Sequence, residues 1–229
     1  MPAAVDDLHA APLQCAGLIG YRTWRLARGA GARRIGLWGF GAAAHIVCQL
    51  AVAQGQEVHA FTRSGDAAGQ AFARSLGASW AGASDERPPR ELDAALVFAP
   101  AGALVPAALA TVRKGGVVVC GGIHMSDTPS FPYALLWGER EVRSVANLTR
   151  RDGEDFMALL ARVKVRTHVE GYASRDANAV IDDLRAGRVE GAAVLVPWGL
   201  RQIKRAARAA AYIARVPSGH APPSREERP

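Results

Sequence analysis

Hydrophobic runs recur along the chain and alternate with amphipathic stretches. Six runs predict β-strands, at Ile35–Trp38, Glu57–Thr62, Ser79–Ala81, Ala94–Phe98, Gly116–Gly121 and Val142–Asn147. Helical patterns fill the intervals, at Ala42–Gln54, Asp66–Leu76, Leu104–Arg113 and a weaker Ala134–Glu139. Strands such as Ala94–Phe98 are apolar on both faces, as parallel strands buried between helices must be. The alternation therefore predicts an α/β fold with a doubly wound parallel sheet.

Further elements flank this sheet region. A helical pattern precedes it at Cys15–Arg28, and another follows it at Asp152–Lys164. An extended piece is predicted at Val165–Ala173. It is followed by a helix at Arg175–Ala186, capped by Ser174 and closed by Gly187, and by a last strand at Ala192–Val196. These pieces do not continue the alternation cleanly. We therefore divide the chain into residues 1–30, 31–150, 151–197 and 198–229.

Composition indicates a globular chain with a basic C-terminal region. The 229 residues are 49% hydrophobic, enough for a sizeable core. Of the net charge of +7, the residues after Pro197 carry seven Lys/Arg against two Asp/Glu. The first 197 residues are therefore close to neutral, which argues against nucleic-acid binding. The basic region predicts a helix at Leu200–Arg215, interpreted as a solvated extension, and a disordered tail from Pro217.

The sequence favours a cytoplasmic protein. Asp6 and Asp7 stand where a signal peptide would be basic. Three scattered cysteines are too few for a disulfide framework. The uncharged run Ala94–Val112 is broken by Pro100 and Pro106, so a buried strand, a loop and a helix explain it better than a membrane span.

The most informative stretch is the turn between the first predicted strand and its helix. It fits the dinucleotide-binding fingerprint G-x-G-x-x-G/A with Gly39, Phe40, Gly41, Ala42, Ala43 and Ala44. Gly39 permits the tight turn, Gly41 lets the backbone approach a pyrophosphate, and Ala44 lets the helix pack on the strand. The helix N-terminus offers free N–H groups to the phosphates. A plain glycine turn is the alternative, but a second strand follows at the spacing of a βαβ unit.

The end of the second strand bears on which cofactor is bound. An acidic residue there would bind the ribose hydroxyls of NAD, but the sequence has Thr62, Arg63 and Ser64 instead. A guanidinium with neighbouring hydroxyls suits a 2′-phosphate, which favours NADP over NAD. The alternative for Arg63 is an ordinary solvated turn residue.

Several motifs in order resemble the zinc-dependent medium-chain alcohol dehydrogenases. They are Ala11–Arg22, the spacing of Cys15 to the glycine turn, Leu76–Ala78 and Leu184–Pro197. The resemblance covers about residues 1–197, makes the first helix a hinge helix and makes residues 31–150 a Rossmann-type dinucleotide-binding domain. It implies reversible hydride transfer between a small alcohol or aldehyde and NAD(P), with zinc polarising the oxygen. It also implies that the nicotinamide is lined by Phe98, Ala99, Pro100, Gly121, Gly122, Ile123, Val145, Ala146 and Asn147.

The resemblance also marks what this sequence lacks. The family's catalytic β-barrel domain, with its Gly-His-Glu motif and most of its zinc ligands, has no counterpart here. Cys15 matches the family's last catalytic zinc ligand, but a catalytic zinc needs three protein ligands, so alone it is expected to be a free thiol. The six histidines form no ligand spacing and are interpreted as surface or packed residues. No catalytic residue is assigned.

We therefore expect the cofactor-binding part of such an enzyme, inactive alone. Leu18, Ile19 and Trp24 of the hinge helix should be partly exposed, which favours a homo-oligomer or a complementary catalytic-domain chain. A non-catalytic dinucleotide-binding module and a degenerate remnant are alternatives. A zinc-independent quinone or enoyl reductase is a weaker one, because Cys15 indicates the zinc branch.

Overall fold

The computed structural model describes residues 5–29 and 31–197, and a six-stranded parallel sheet forms its centre. The strands are β1 Arg34–Trp38, β2 Glu57–Thr62, β3 Trp80–Ala83, β4 Leu92–Val97, β5 Val112–Cys120 and β6 Glu141–Ser144. Their order is β3-β2-β1-β4-β5-β6, so the chain winds outward from β1 in one direction and from β4 in the other. The predicted doubly wound parallel sheet is confirmed.

Helices cover both faces of this sheet. Those between strands are α3 Ala42–Ala53, α4 Ala67–Ser75 and α5 Leu104–Leu109. Because side chains alternate across a strand, Ile35 and Leu37 of β1 enter the core cluster beneath α3, and Trp38 enters the opposite cluster with α5. Trp38 stacks there on Phe61, with ring centroids 3.7 Å apart. Both faces of the central strands are therefore buried.

The helical region before the sheet is longer than predicted. It comprises α1 Asp7–Pro12, a π-helical turn Leu13–Gly17 and α2 Leu18–Gly29. The expectation for Trp24 is wrong, because its side chain is 1% exposed and its ring lies 5.8 Å from that of Tyr21, in the same core cluster as Phe156. Leu18 and Ile19 are partly exposed, as expected.

The last described residues form a second, smaller unit. Helix α6 Arg150–Leu160 still packs on α2 and on the main core. In the second unit, strands β7 Val169–Ala173 and β8 Ala192–Val196 pair in parallel, and α7 Ala177–Arg185 connects the two strands. Helix α1 contacts both strands, and the Thr167 hydroxyl donates to the His9 carbonyl at 3.0 Å. The two ends of the described chain therefore build this unit together.

Two predicted helices near β5 are wrong in extent. The predicted helix Leu104–Arg113 stops at Leu109, because Val112 is buried and starts β5 opposite Leu92. The β4–β5 ladder shifts register between Leu92 and Ala94. The second predicted helix, Ala134–Glu139, is only a 3₁₀ turn, Tyr133–Leu135.

Smaller corrections concern element ends. Strand β6 stops at Ser144 rather than Asn147, and α6 stops at Leu160 rather than Lys164. Ser174 begins a 3₁₀ turn rather than capping a helix, although Gly187 does follow α7 in the left-handed conformation, at φ +72°. The basic helix predicted at Leu200–Arg215 and the tail from Pro217 lie outside the described residues.

Candidate functional site

The glycine turn lies at the carboxyl end of β1, where the strand order reverses towards β4. Gly39 has φ +85°, and a Cβ there would lie 2.7 Å from the backbone nitrogen of Ala99, so only glycine fits. A Cβ on Gly41 would meet nothing within 4 Å. Ala44 is fully buried where α3 packs on the sheet. The geometry therefore gives a closed turn at Gly39 beside open space at Gly41.

The start of α3 borders that open space. Gly41 is its N-cap and provides no side-chain cap, and the first helical bond runs from the His45 N–H to the Gly41 carbonyl at 3.1 Å. The preceding N–H groups, of Ala42, Ala43 and Ala44, have no acceptor among the described residues. Unpaired N–H groups together with the positive end of the helix dipole form an anion site.

Sequence reasoning missed the role of His45 on α3. Its buried ring bridges two backbone groups, with Nδ1 3.2 Å from the Gly41 carbonyl oxygen and Nε2 3.2 Å from the His168 nitrogen. The carbonyl can only accept and the His168 N–H can only donate, so the ring is neutral with its proton on Nδ1. Burial, with a smaller contribution from the nearby His168, lowers the pKa of His45 to about 4. His45 therefore ties the glycine turn to the second unit.

The turn after β2 carries the residues predicted to choose the cofactor. The Thr62 side chain is buried, and its hydroxyl donates to the Arg63 carbonyl at 3.2 Å and accepts from Gln70 at 3.3 Å. The Ser64 hydroxyl donates to the Asp85 carboxylate at 3.1 Å. The Arg63 side chain is exposed and forms no ion pair within the described part of the chain. Of the three predicted residues, Arg63 therefore keeps side-chain donors free.

The predicted nicotinamide loops lie side by side at the same edge. The Phe98 N–H donates to Trp38, the Gly121 N–H to Val97 and the Val145 N–H to Cys120, each at 2.9 Å. These bonds continue the ladder past the strand ends, so the loops Phe98–Pro100, Gly121–Ile123 and Val145–Asn147 follow β4, β5 and β6 in spatial order.

Within these loops, glycine is needed at Gly121, where the loop lies close to side chains of neighbouring segments. A Cβ on Gly121 would lie 3.0 Å from the Phe98 ring and closer still to the Thr23 hydroxyl on α2. Ile123 is 77% exposed at the open side of the edge, and Asn147 accepts from the Leu148 N–H at 2.8 Å. The hinge helix thus contacts the start of the middle loop at Gly121, while Ile123 at the end of that loop stays exposed.

Cys15 lies in the π-helical turn before α2, and its thiol is free and exposed. The described residues contain no group of three or more His, Cys, Asp or Glu side chains that could hold a metal ion. The residues present therefore do not fit a complete catalytic zinc site, and the ligand role of Cys15 stays a prediction.

Comparison with known proteins places the chain in a family. No family model matches it. It is 42% identical over 197 residues to a protein of Mycobacterium tuberculosis named "Probable alcohol dehydrogenase AdhA", an alignment that covers 86% of this chain and 56% of that protein. The chain belongs to the medium-chain alcohol dehydrogenase family. It spans 56–60% of the length of the curated relatives it matches.

Solved structures agree with the fold of this family member. Acetophenone reductase from Geotrichum candidum, in complex with NAD, superposes with a TM-score of 0.76 at 23% identity, covering 85% of this chain and 57% of that one. The protein named CAD from Helicobacter pylori, complexed with NADP(H), superposes with a TM-score of 0.71 at 19% identity, covering 82% of this chain and 54% of that one. At these identities the likeness shows a shared fold. Each described helix is too short or too polar to cross a membrane.

Proposed function

We propose that this chain binds a nicotinamide dinucleotide across the carboxyl edge of its parallel sheet. The observation that carries the proposal is the turn at Gly41, where open space meets three backbone N–H groups that lack acceptors in the described chain. Ligands of doubly wound sheets bind where the strand order reverses, which here is between β1 and β4. The NAD and NADP(H) of the two superposed structures support a cofactor of this class.

The pyrophosphate would lie on the N-terminus of α3, with the adenosine towards Arg63 and the nicotinamide towards Gly121 and Asn147. We favour NADP over NAD, because Arg63 offers a bidentate cation where an NAD-binding protein would place a carboxylate. The carboxylate of Asp85 lies beside this turn, but it already accepts a hydrogen bond from the Ser64 hydroxyl.

In the complete enzyme we propose hydride transfer between an alcohol and the nicotinamide. The zinc of such enzymes polarises the substrate oxygen, and Cys15 would give one thiolate to that metal. This chain's own residues bind the dinucleotide, fix its pyrophosphate and hold the nicotinamide beside the loops after β4, β5 and β6. The other zinc ligands would come from a complementary catalytic-domain chain.

Calorimetry with NADP and with NAD tests the binding proposal. We expect the Gly41→Val variant to lose binding, because a branched side chain would occupy the space of the pyrophosphate. Gly153→Val is the matched control, since a Cβ at Gly153 meets only Leu18, at 3.9 Å. Absence of binding by the unmodified chain at millimolar cofactor, or equal binding by both variants, would contradict the proposal.

A second experiment separates the enzyme from a non-catalytic binding module. The lack of a three-ligand group among the described side chains is the observation that favours the module. We expect no stoichiometric zinc and no alcohol oxidation by the purified chain, and turnover once a catalytic-domain chain is added. Turnover and bound zinc in the unaided chain would refute this, and cofactor binding without turnover in any mixture would identify the module.

A further inference from the structure

The turn between α7 and β8 lies against Arg63 of the sheet domain. Gly187 begins this turn at φ +72°, and a Cβ built on it would lie 2.7 Å from Nη1 of Arg63. That distance is shorter than real Cβ contacts, so the guanidinium occupies space that exists because residue 187 has no side chain. Two elements that are distant in sequence thus meet at the adenosine end of the proposed cofactor site.

Two arginines near this turn are paired with carboxylates of α7, whereas no ion pair of Arg63 is found within the described residues. Arg188 donates to Asp183 from Nε at 2.9 Å and from Nη2 at 2.6 Å, and Arg185 lies 3.3 Å from Asp182. Arg63 has no carboxylate partner in the described chain, although it lies where α7 ends. The C-terminal end of a helix carries partial negative charge and favours a cation there.

We propose that Gly187 is a specificity-determining position for the cofactor. Its missing side chain lets the Arg63 guanidinium rest on the α7–β8 turn, which holds it in place for the 2′-phosphate of NADP. A guanidinium has five N–H donors in a fixed fork, so one that rests on the turn through Nη1 retains donors for a phosphate. Holding the cation before the ligand arrives lowers the ordering cost of binding.

This inference rests on the proposed cofactor site and adds that the second unit contributes to it. Arg63 is exposed on the turn after β2 of the sheet domain. With the α7–β8 turn beside it, both units border the adenosine, and preference for the 2′-phosphate depends on a residue about 120 positions away in sequence.

The test compares Gly187→Ala with Gly55→Ala in the full chain. Both glycines follow a helix with positive φ, +72° and +77°, so both variants carry similar backbone strain. A Cβ on Gly55 meets nothing within 4 Å, so only Gly187→Ala displaces Arg63. Gly187→Asn and Gly55→Asn form a second pair, because asparagine tolerates this conformation.

Titrations use NADPH and NADH, with 2′,5′-ADP and 5′-AMP as probes of the adenosine end alone. We expect Gly187→Ala to weaken NADPH and 2′,5′-ADP by about tenfold, the scale of one charge-assisted contact, and to leave NADH and 5′-AMP unchanged. Arg63→Ala should lose the same preference, and the double variant should be no worse than Arg63→Ala.

The outcomes separate this inference from the broader proposal. If the unmodified chain binds neither dinucleotide, the proposed function fails and this inference with it. If it binds both equally, Arg63 does not read the 2′-phosphate and the inference alone is overturned. A preference that Arg63→Ala removes but both Gly187 variants keep would also overturn it, because the turn would then hold nothing.

Discussion

Removal of the buried imidazole of His45 should change how stability depends on pH. The ring is fully buried, and burial lowers its pKa from 6.5 to about 4. In the unfolded chain the ring takes up a proton near pH 6.5, while in the folded chain it stays neutral until about pH 4. Stability is therefore fully present above pH 6.5 and is lost as the pH falls towards 4.

The magnitude follows from the difference between the two pKa values. Between pH 7.5 and pH 4.5, differential protonation of His45 should remove about 2.5 kcal/mol of unfolding free energy. His45→Asn removes this titration but keeps an amide donor near the Gly41 carbonyl. It leaves the His168 N–H without an acceptor, which costs about 1–3 kcal/mol at any pH.

Urea unfolding of both proteins at pH 7.5 and pH 4.5 measures these quantities. The unmodified chain should be more stable than His45→Asn at pH 7.5, and the gap should shrink by about 2.5 kcal/mol at pH 4.5. His124→Asn, at an exposed position, is the control and should follow the unmodified chain. A stability difference of the same size at both pH values would refute the reasoning, because protonation of His45 would then not determine how stability changes between pH 7.5 and pH 4.5.

Two further predictions concern the hinge region and the thiols. Trp24→Ala should cost about 3–5 kcal/mol in urea unfolding, because its side chain fills the core beneath α2, while Trp137→Ala, at a side chain 60% exposed, should cost less than about 1 kcal/mol; equal losses would contradict the packing. A thiol reagent should label the exposed Cys15 first in the folded chain and Cys48 only as the chain unfolds, since burial raises the pKa of Cys48 to about 12; rapid labelling of Cys48 in a Cys15→Ser variant would contradict this.

The sheet and the glycine turn were predictable because they depend on local signals. Runs such as Ala94–Val97 are apolar on both faces, as strands of a parallel sheet covered by helices are. Gly39 and Gly41 are separated from a strand and a helix by fixed offsets, so their place in the fold follows from the sequence. The predicted end of the helix before β5 was wrong. Whether Val112 ends that helix or starts a strand depends on its pairing with Leu92, which no local pattern reveals.

The contacts of the second unit could not be predicted from patterning. Trp24 packs on Tyr21, and Tyr21 in turn contacts Phe156 of α6, more than a hundred residues further along the chain. The roles of His45 and Gly187 likewise depend on partners brought close only by the tertiary fold. The sequence does place a histidine one residue after the fingerprint. That position is a usable signal of a tertiary hydrogen bond, because a helix start that packs on a strand has few ways to satisfy a polar ring.

The second unit contacts helix α3 at several points, so binding at the proposed cofactor site should be linked to the stability of that unit. His45 accepts from His168, and Gln49 both donates to the Arg166 carbonyl and accepts from its N–H, each at 2.9 Å. Gly187 adds the contact to Arg63 at the far end of the site. A ligand that binds only the folded arrangement stabilises everything that arrangement requires. Cofactor binding should therefore protect the amides around His168 from hydrogen exchange, although no proposed cofactor contact lies in the segment just before β7.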